Sequence, residues 1–201
     1  MLAARRQRPL CKTNRARTDK VLRPAFLVLV AFSLATCWAN TATATVFHSR
    51  SELAQLAFPD CDRVGTRDVF LSPDQRARIE QAAGSPLDGD FLTIYEGYRA
   101  DQLVGYALLD THLVRTLPET LLVVLDASGA VAATYVMAFH EPLDYRPSER
   151  WLRLFDDRRL SDDLRVGQKI VGITGATLSA RAVVGSVRRS LAIYEVLLAG
   201  R

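Results

Sequence analysis

Cysteine is scarce in this chain, with three among 201 residues. Cys11 and Cys37 fall in the first 44 residues, which leaves Cys61 as the one thiol of the remainder. A single thiol makes neither an internal disulfide nor a cysteine zinc site, and Cys61 reads as a passive loop or buried thiol. No Cys-x-x-Cys-His run is present to attach haem. Histidine is as sparse, also three. His48 and His112 stand alone without matching ligand residues, so no metal site is expected. No Gly-rich Walker or dinucleotide fingerprint follows a strand pattern, and no Ser/His/Asp or Cys/His set has supporting context. Repeats and low-complexity linkers are missing after residue 45, which points to one domain.

What is present begins with charge. The formal net charge of +4 misleads, because eight basic residues (Arg5 to Arg23) and one acid, Asp19, lie in the first 44 residues. Without that segment 18 basic and 21 acidic side chains remain. The body is mildly acidic, and nucleic-acid binding has no electrostatic support. The basic stretch runs into an apolar one, Ala25-Phe26-Leu27-Val28-Leu29-Val30-Ala31-Phe32 and on to about Trp38, and Ala42-Thr43-Ala44 offers small residues to a signal peptidase. Residues 1–44 therefore read as a secretory signal peptide, with an N-terminal anchor as the competing reading. Leu34-Ala35-Thr36-Cys37 has a distant likeness to a lipoprotein box. Either way the expected location is periplasmic or extracytoplasmic, membrane-anchored if the segment is kept. Hydrophobic residues make up 49%, enough for a core.

Periodicity and turn chemistry predict the elements of residues 45–201. Ser51 to Leu56 reads as a short helix and Asp68 to Leu71 as a short strand. Ser72-Pro73-Asp74-Gln75 starts a helix, with Ser as cap, Pro first and Gln three residues after the cap, running to Ala83 before Gly84. Phe91–Tyr95, Leu103–Leu109, Leu121–Leu125 and Ala130–Val136 are strand-like, and Asp126-Ala127-Ser128-Gly129 is a hairpin turn between the last two. Tyr95 and Tyr106 are assigned to the sheet core. Pro147 to Asp156 reads as helical. A pattern of Ala180, Val183, Val184, Val187, Leu191, Tyr194 and Leu198 predicts a long final helix capped by Thr177 or Ser179. Strands grouped centrally with helices at both ends predict a single α+β domain, its largely antiparallel sheet flanked by helices.

The richest stretch is Gly172-Ile173-Thr174-Gly175-Ala176-Thr177-Leu178-Ser179, with three hydroxyls and two glycines in eight residues directly before that helix. Helix N-terminal amides lack intrahelical partners and the helix dipole favours negative charge, so the stretch suits a phosphate. The plain alternative is a turn and an N-cap.

Thr174-Gly175-Ala176-Thr177 with Leu178-Ser179 resembles the flavinylation motif of the FMN-binding domain family. That family includes the C and G subunits of the sodium-pumping and Rnf electron-transport complexes and the extracytoplasmic part of the nitrous-oxide-reductase regulator. Ala57-Phe58-Pro59 with Leu71-Ser72-Pro73-Asp74-Gln75, and His140-Glu141-Pro142-Leu143-Asp144-Tyr145 with Trp151 and Phe155, extend the likeness over residues 50–198. The resemblance implies FMN joined through its phosphate to Thr177 by a flavin transferase. It also implies an electron-carrier role between a membrane donor and an extracytoplasmic acceptor, with membrane electron-transfer proteins as partners. Where the family has Asp three residues before the first Ser/Thr, this chain has Val171. That departure leaves a second expectation open, a non-redox binding or regulatory module on the same fold.

The expected cofactor-binding residues are Thr177, Thr174, Gly175, Ala176, Ser179, His140, Glu141 and Tyr145. Gly172 and Gly175 would permit close backbone approach. His140 would donate to a flavin carbonyl with Glu141 orienting it, and Tyr145 and Trp151 would shield the ring, with core packing as the alternative for both aromatics. No catalytic residue is assigned, because the cofactor carries the redox step. A hydrolytic reading through His140 and Glu141 has little to support it.

Overall fold

The computed structural model describes residues 45–46 and 50–200. The expected signal segment 1–44, with Cys11 and Cys37, and His48 lie outside the described residues.

The described chain runs β1 (Thr45–Val46), α1 (Arg50–Ala57), β2 (Arg63–Phe70), α2 (Pro73–Ala83), β3 (Phe91–Arg99), β4 (Gln102–Leu113), β5 (Pro118–Asp126) and β6 (Val131–Phe139). It continues through a 3-10 turn (Leu143–Tyr145), the one-turn helix α3 (Glu149–Leu152), a second 3-10 turn (Arg153–Phe155) and the long helix α4 (Thr177–Leu197). The strands form one antiparallel sheet in the order β1-β6-β5-β4-β3-β2. The domain is α+β, as expected.

Local chemistry sets most of the boundaries. At α2 the Ser72 hydroxyl accepts from Gln75 N at 3.2 Å, while Gln75 Oε1 accepts from Ser72 N at 2.9 Å. This reciprocal cap satisfies two of the free amides of the first turn. The helix stops at Gly84, whose φ of 71° lies in the left-handed region that glycine tolerates best. In the β5–β6 turn the Asp126 carboxylate accepts from Ser128 N at 2.8 Å and Ala130 N at 2.9 Å. β3 to β6 run three or four residues beyond the expected spans at one end, and two other elements depart further. β2 covers Arg63–Phe70 rather than residues 68–71, because its mixed polar side chains sit on a sheet edge and carry no apolar run. The expected helix over 147–156 is one α-turn followed by a 3-10 turn.

The two sheet faces have separate cores. The inner face, with Ile94, Leu108, Leu121, Val123 and Val136, packs against α2, Trp151, Phe155 and the apolar stripe of α4. The outer face is covered in part by α1, whose Leu53 and Ala57 join Phe58 on Ala107, Leu122, Val124 and Met137. Phe58 lies directly over Gly97, where a β-carbon would come within 2.4 Å of its ring. Tyr106 is buried and meets Tyr194 edge-on at 5.8 Å. Tyr95 is not core. It is half-buried and borders an outer-face groove. Arg188 of α4 ties the two inner helices together, donating from Nε to Ala83 O at 2.7 Å and from Nη2 to Ala82 O at 3.0 Å. Those are C-terminal carbonyls of α2, where a cation also complements the helix dipole.

Candidate functional site

The segment before α4 is held at both ends. The Trp151 indole donates to Val171 O at 2.8 Å. Ala176 N donates to Ile173 O at 3.1 Å, and Gly175 turns the chain at φ +80°, a conformation that a side chain would strain. The expected N-cap is corrected here. Ala176 occupies the cap position and makes no side-chain bond, Thr177 is the first helical residue, and Ser179 is buried. The first helical bond runs from Ala180 N to Ala176 O at 3.0 Å, so the amides of Thr177, Leu178 and Ser179 lie ahead of the helical ladder. No acidic side chain stands in this first turn to offset the dipole.

A second wall comes from sequence some sixty residues earlier. The β4–β5 hairpin ends in a turn closed by Val114 N donating to Leu117 O at 3.1 Å. Glu141 braces that turn, because its Oε1 accepts from Thr116 N at 2.8 Å and Leu117 N at 2.9 Å. These backbone bonds hold the Glu141 carboxyl below its ordinary pKa, so it stays ionised at neutral pH. Its role differs from the expected one, since it holds the hairpin tip rather than orienting His140. The His140 ring is itself engaged, with Nδ1 3.0 Å from Pro118 O, a bond that requires the Nδ1–H form.

Between the walls lies a cavity of about 270 Å³. Gly175, Ala176, Thr177, Leu178 and Ser179 line one side, and Val114, Arg115, Glu141 and Tyr145 the other. Six of the eight expected binding residues thus meet at one place. Thr174 and His140 do not line it, and neither does Gly172, whose neighbour is Val166. Trp151 is buried, stacked edge-on against Phe155 at 5.4 Å, and acts on the site only by anchoring Val171. Val171 itself is 61% exposed. Arg115 escaped the sequence reading, and nothing local to it, a single cation in a turn, could have revealed it.

Open amides and an exposed Thr177 on one wall and the Arg115 guanidinium on the other suit an oxyanion, with the Glu141 charge beside Arg115 opposing it. The volume is slightly below the roughly 300 Å³ at the small end of ligand pockets. Tyr145 and Leu178, both exposed, border the mouth of the cavity.

His112 has charged neighbours on both sides. It does not stand alone. It is buried, with Nδ1 2.8 Å from Asp110 Oδ2 and Nε2 3.3 Å from Glu119 Oε2. Asp110 in turn accepts from Arg189 of α4, at 2.5 Å on Oδ2 and 3.1 Å on Oδ1. This charged chain fastens α4 to β4 and β5 under the candidate site. Burial works against charging His112, but the Asp110 and Glu119 carboxylates outweigh it and raise its pKa. Burial likewise works against an ionised Asp110, yet His112 and Arg189 hold its carboxyl well below the usual range.

No protein-family model matches the chain, and no curated protein matches it.

Proposed function

We propose that this protein is an exported electron-transfer module that carries FMN through its phosphate on Thr177. The observation that carries the reading is the convergence of the uncapped α4 N-terminus, the exposed Thr177 hydroxyl and Arg115 on one cavity. Bound FMN would supply reversible uptake and release of electrons. The chain's own residues would have simpler tasks. The amides of Thr177, Leu178 and Ser179 and the Arg115 guanidinium would hold phosphate oxygens, Gly175 would keep the approach clear, and Tyr145 would lie beside the ring. Electrons would pass between a membrane donor and an extracytoplasmic acceptor, with a flavin transferase serving maturation. The resemblance in residues 50–198 supports the assignment of the group.

A second reading, a binding or regulatory module without redox chemistry, is favoured by Val171, which stands where the resembled family has a carboxylate. Intact mass separates the two. Secreted protein co-produced with a flavin transferase should gain the mass of FMN less one water, and a Thr177→Ala variant should not. Bare protein in both samples would sink the covalent reading. Flavin titration of that bare protein would then decide between non-covalent FMN and the module without redox chemistry.

A further inference from the structure

The exposed large apolar side chains are not scattered. Strand register places Phe70 opposite Phe91 and Leu113 opposite Pro118, and the row through Thr120 and Ala138 ends at Val46, all at one end of the sheet. Phe70 is 78% exposed, Leu113 66%, and Phe91 rests against Phe70 with ring centroids 4.9 Å apart. The same end carries the rim of the candidate site, where Leu117, Leu143, Tyr145 and Leu178 are exposed. At the opposite end, where Ala100-Asp101 and Asp126–Ala130 turn, the one exposed large apolar residue among the described residues is Val104. Between Phe91 and Ala138 the outer face opens into a groove of about 450 Å³ without a charged side chain. A soluble monomer rarely concentrates apolar surface in this way without something to cover it.

Where the chain enters the domain points to what covers it when residues 1–44 are kept as an anchor. β1 pairs with Phe139 and Ala138 at this very end, and the apolar run that closes at Trp38 stands only seven residues upstream of Thr45. We propose that this end of the domain is a membrane-contacting face, its phenylalanines and leucines set into the bilayer interface around the mouth of the cavity. A bilayer asks for no shape match. It asks for apolar and aromatic side chains with cations beside them, and β2, β3, β4, the first 3-10 turn and α4 supply the apolar ones, with Arg115 at the hairpin tip and Tyr145 on the rim. No helix among the described residues is long and apolar enough to cross a membrane.

Tryptophan substitutions test the face independently of flavin loading. The full chain is reconstituted in protein-free vesicles of phosphatidylcholine and phosphatidylglycerol, with and without bromine on the acyl chains, and read against the parent chain, which holds Trp38 and Trp151. Phe91→Trp and Leu113→Trp should lose fluorescence to the bromines and shift to the blue. Val104→Trp at the far end should do neither. All three positions are exposed, and an unchanged urea midpoint verifies folding. If Phe91→Trp and Leu113→Trp behave like Val104→Trp, whether none or all are quenched, the membrane face is refuted. In the unquenched case the apolar end is left to a protein partner. Neither result bears on the mass of a Thr177 adduct, so the two proposals fail separately.

Discussion

Asp110→Asn is the sharpest test of how α4 is held beneath the candidate site. The substitution keeps the shape of the side chain and removes the charge that both His112 and Arg189 face. Asp110 and Arg189 are 20% and 11% exposed, so water screens the pair only weakly. Removing one partner of a fully buried ion pair costs about 3–5 kcal/mol, and the residual exposure here brings the expected loss to about 2–4 kcal/mol. That is a large part of the roughly 5–15 kcal/mol that holds a domain folded. The sign with pH follows from linkage. His112 has a folded pKa raised above its unfolded value of about 6.5, so its contribution is complete below that value and is lost as pH rises through the folded pKa. Asp110 has a folded pKa below its unfolded value of about 3.9, so its contribution is present above that value and lost as pH falls through the folded pKa. Stability should therefore peak between about pH 4 and 6.5 as far as these two groups decide it. In the variant His112 retains Glu119 alone, its pKa falls, and the alkaline decline flattens. The assay is urea unfolding by linear extrapolation at several pH values, with the His112 ring titrated by NMR. The deficit of Asp110→Asn should be largest near pH 6 and shrink toward pH 9. A deficit under about 1 kcal/mol at pH 6, one that widens with pH, or a parent His112 titrating below about 6.5 would refute the reasoning.

Three further outcomes are expected. Gly97→Ala drives a methyl into the Phe58 ring and should cost about 1–3 kcal/mol in urea unfolding, with much of it recovered when Phe58 is shortened to Leu. Ser72→Ala removes the reciprocal cap of α2 and should lower stability by about 1 kcal/mol, while Ser72→Asp should keep most of it. Glu141→Ala should free the hairpin tip, which is visible as faster amide exchange at Thr116 and Leu117 with a stability loss of only about 0.5–1 kcal/mol, because the site is well exposed to solvent. Unchanged exchange at those two amides would show that the brace is not what orders the tip.

Much of the architecture is legible in the sequence. The capping box at Ser72 and Gln75, the left-handed stop at Gly84, the Asp126 to Gly129 turn and the stripe of α4 all act within a few residues of chain, and they stand where the pattern put them. β2 was read too short because an edge strand needs no apolar alternation. Its residues become a strand through their ladder with β3. The candidate site was half legible. The glycines and hydroxyls before α4 announce a helix start rich in free amides, but which residue caps it depends on the loop conformation, and the loop hangs on Trp151 twenty residues away.

By itself, the sequence determined the α+β class, the succession of strands and helices and the location of the polar helix start, because periodicity and turn chemistry are local. Only the tertiary structure decided that Arg115 and Glu141 would face Thr177, that Glu141 would brace a turn rather than a histidine, that His112 would sit between two carboxylates, and that the exposed phenylalanines and leucines would share one end. Each of those depends on sheet register and on the seating of α4 against it. Register is a relation between distant segments, and no window along the chain contains it.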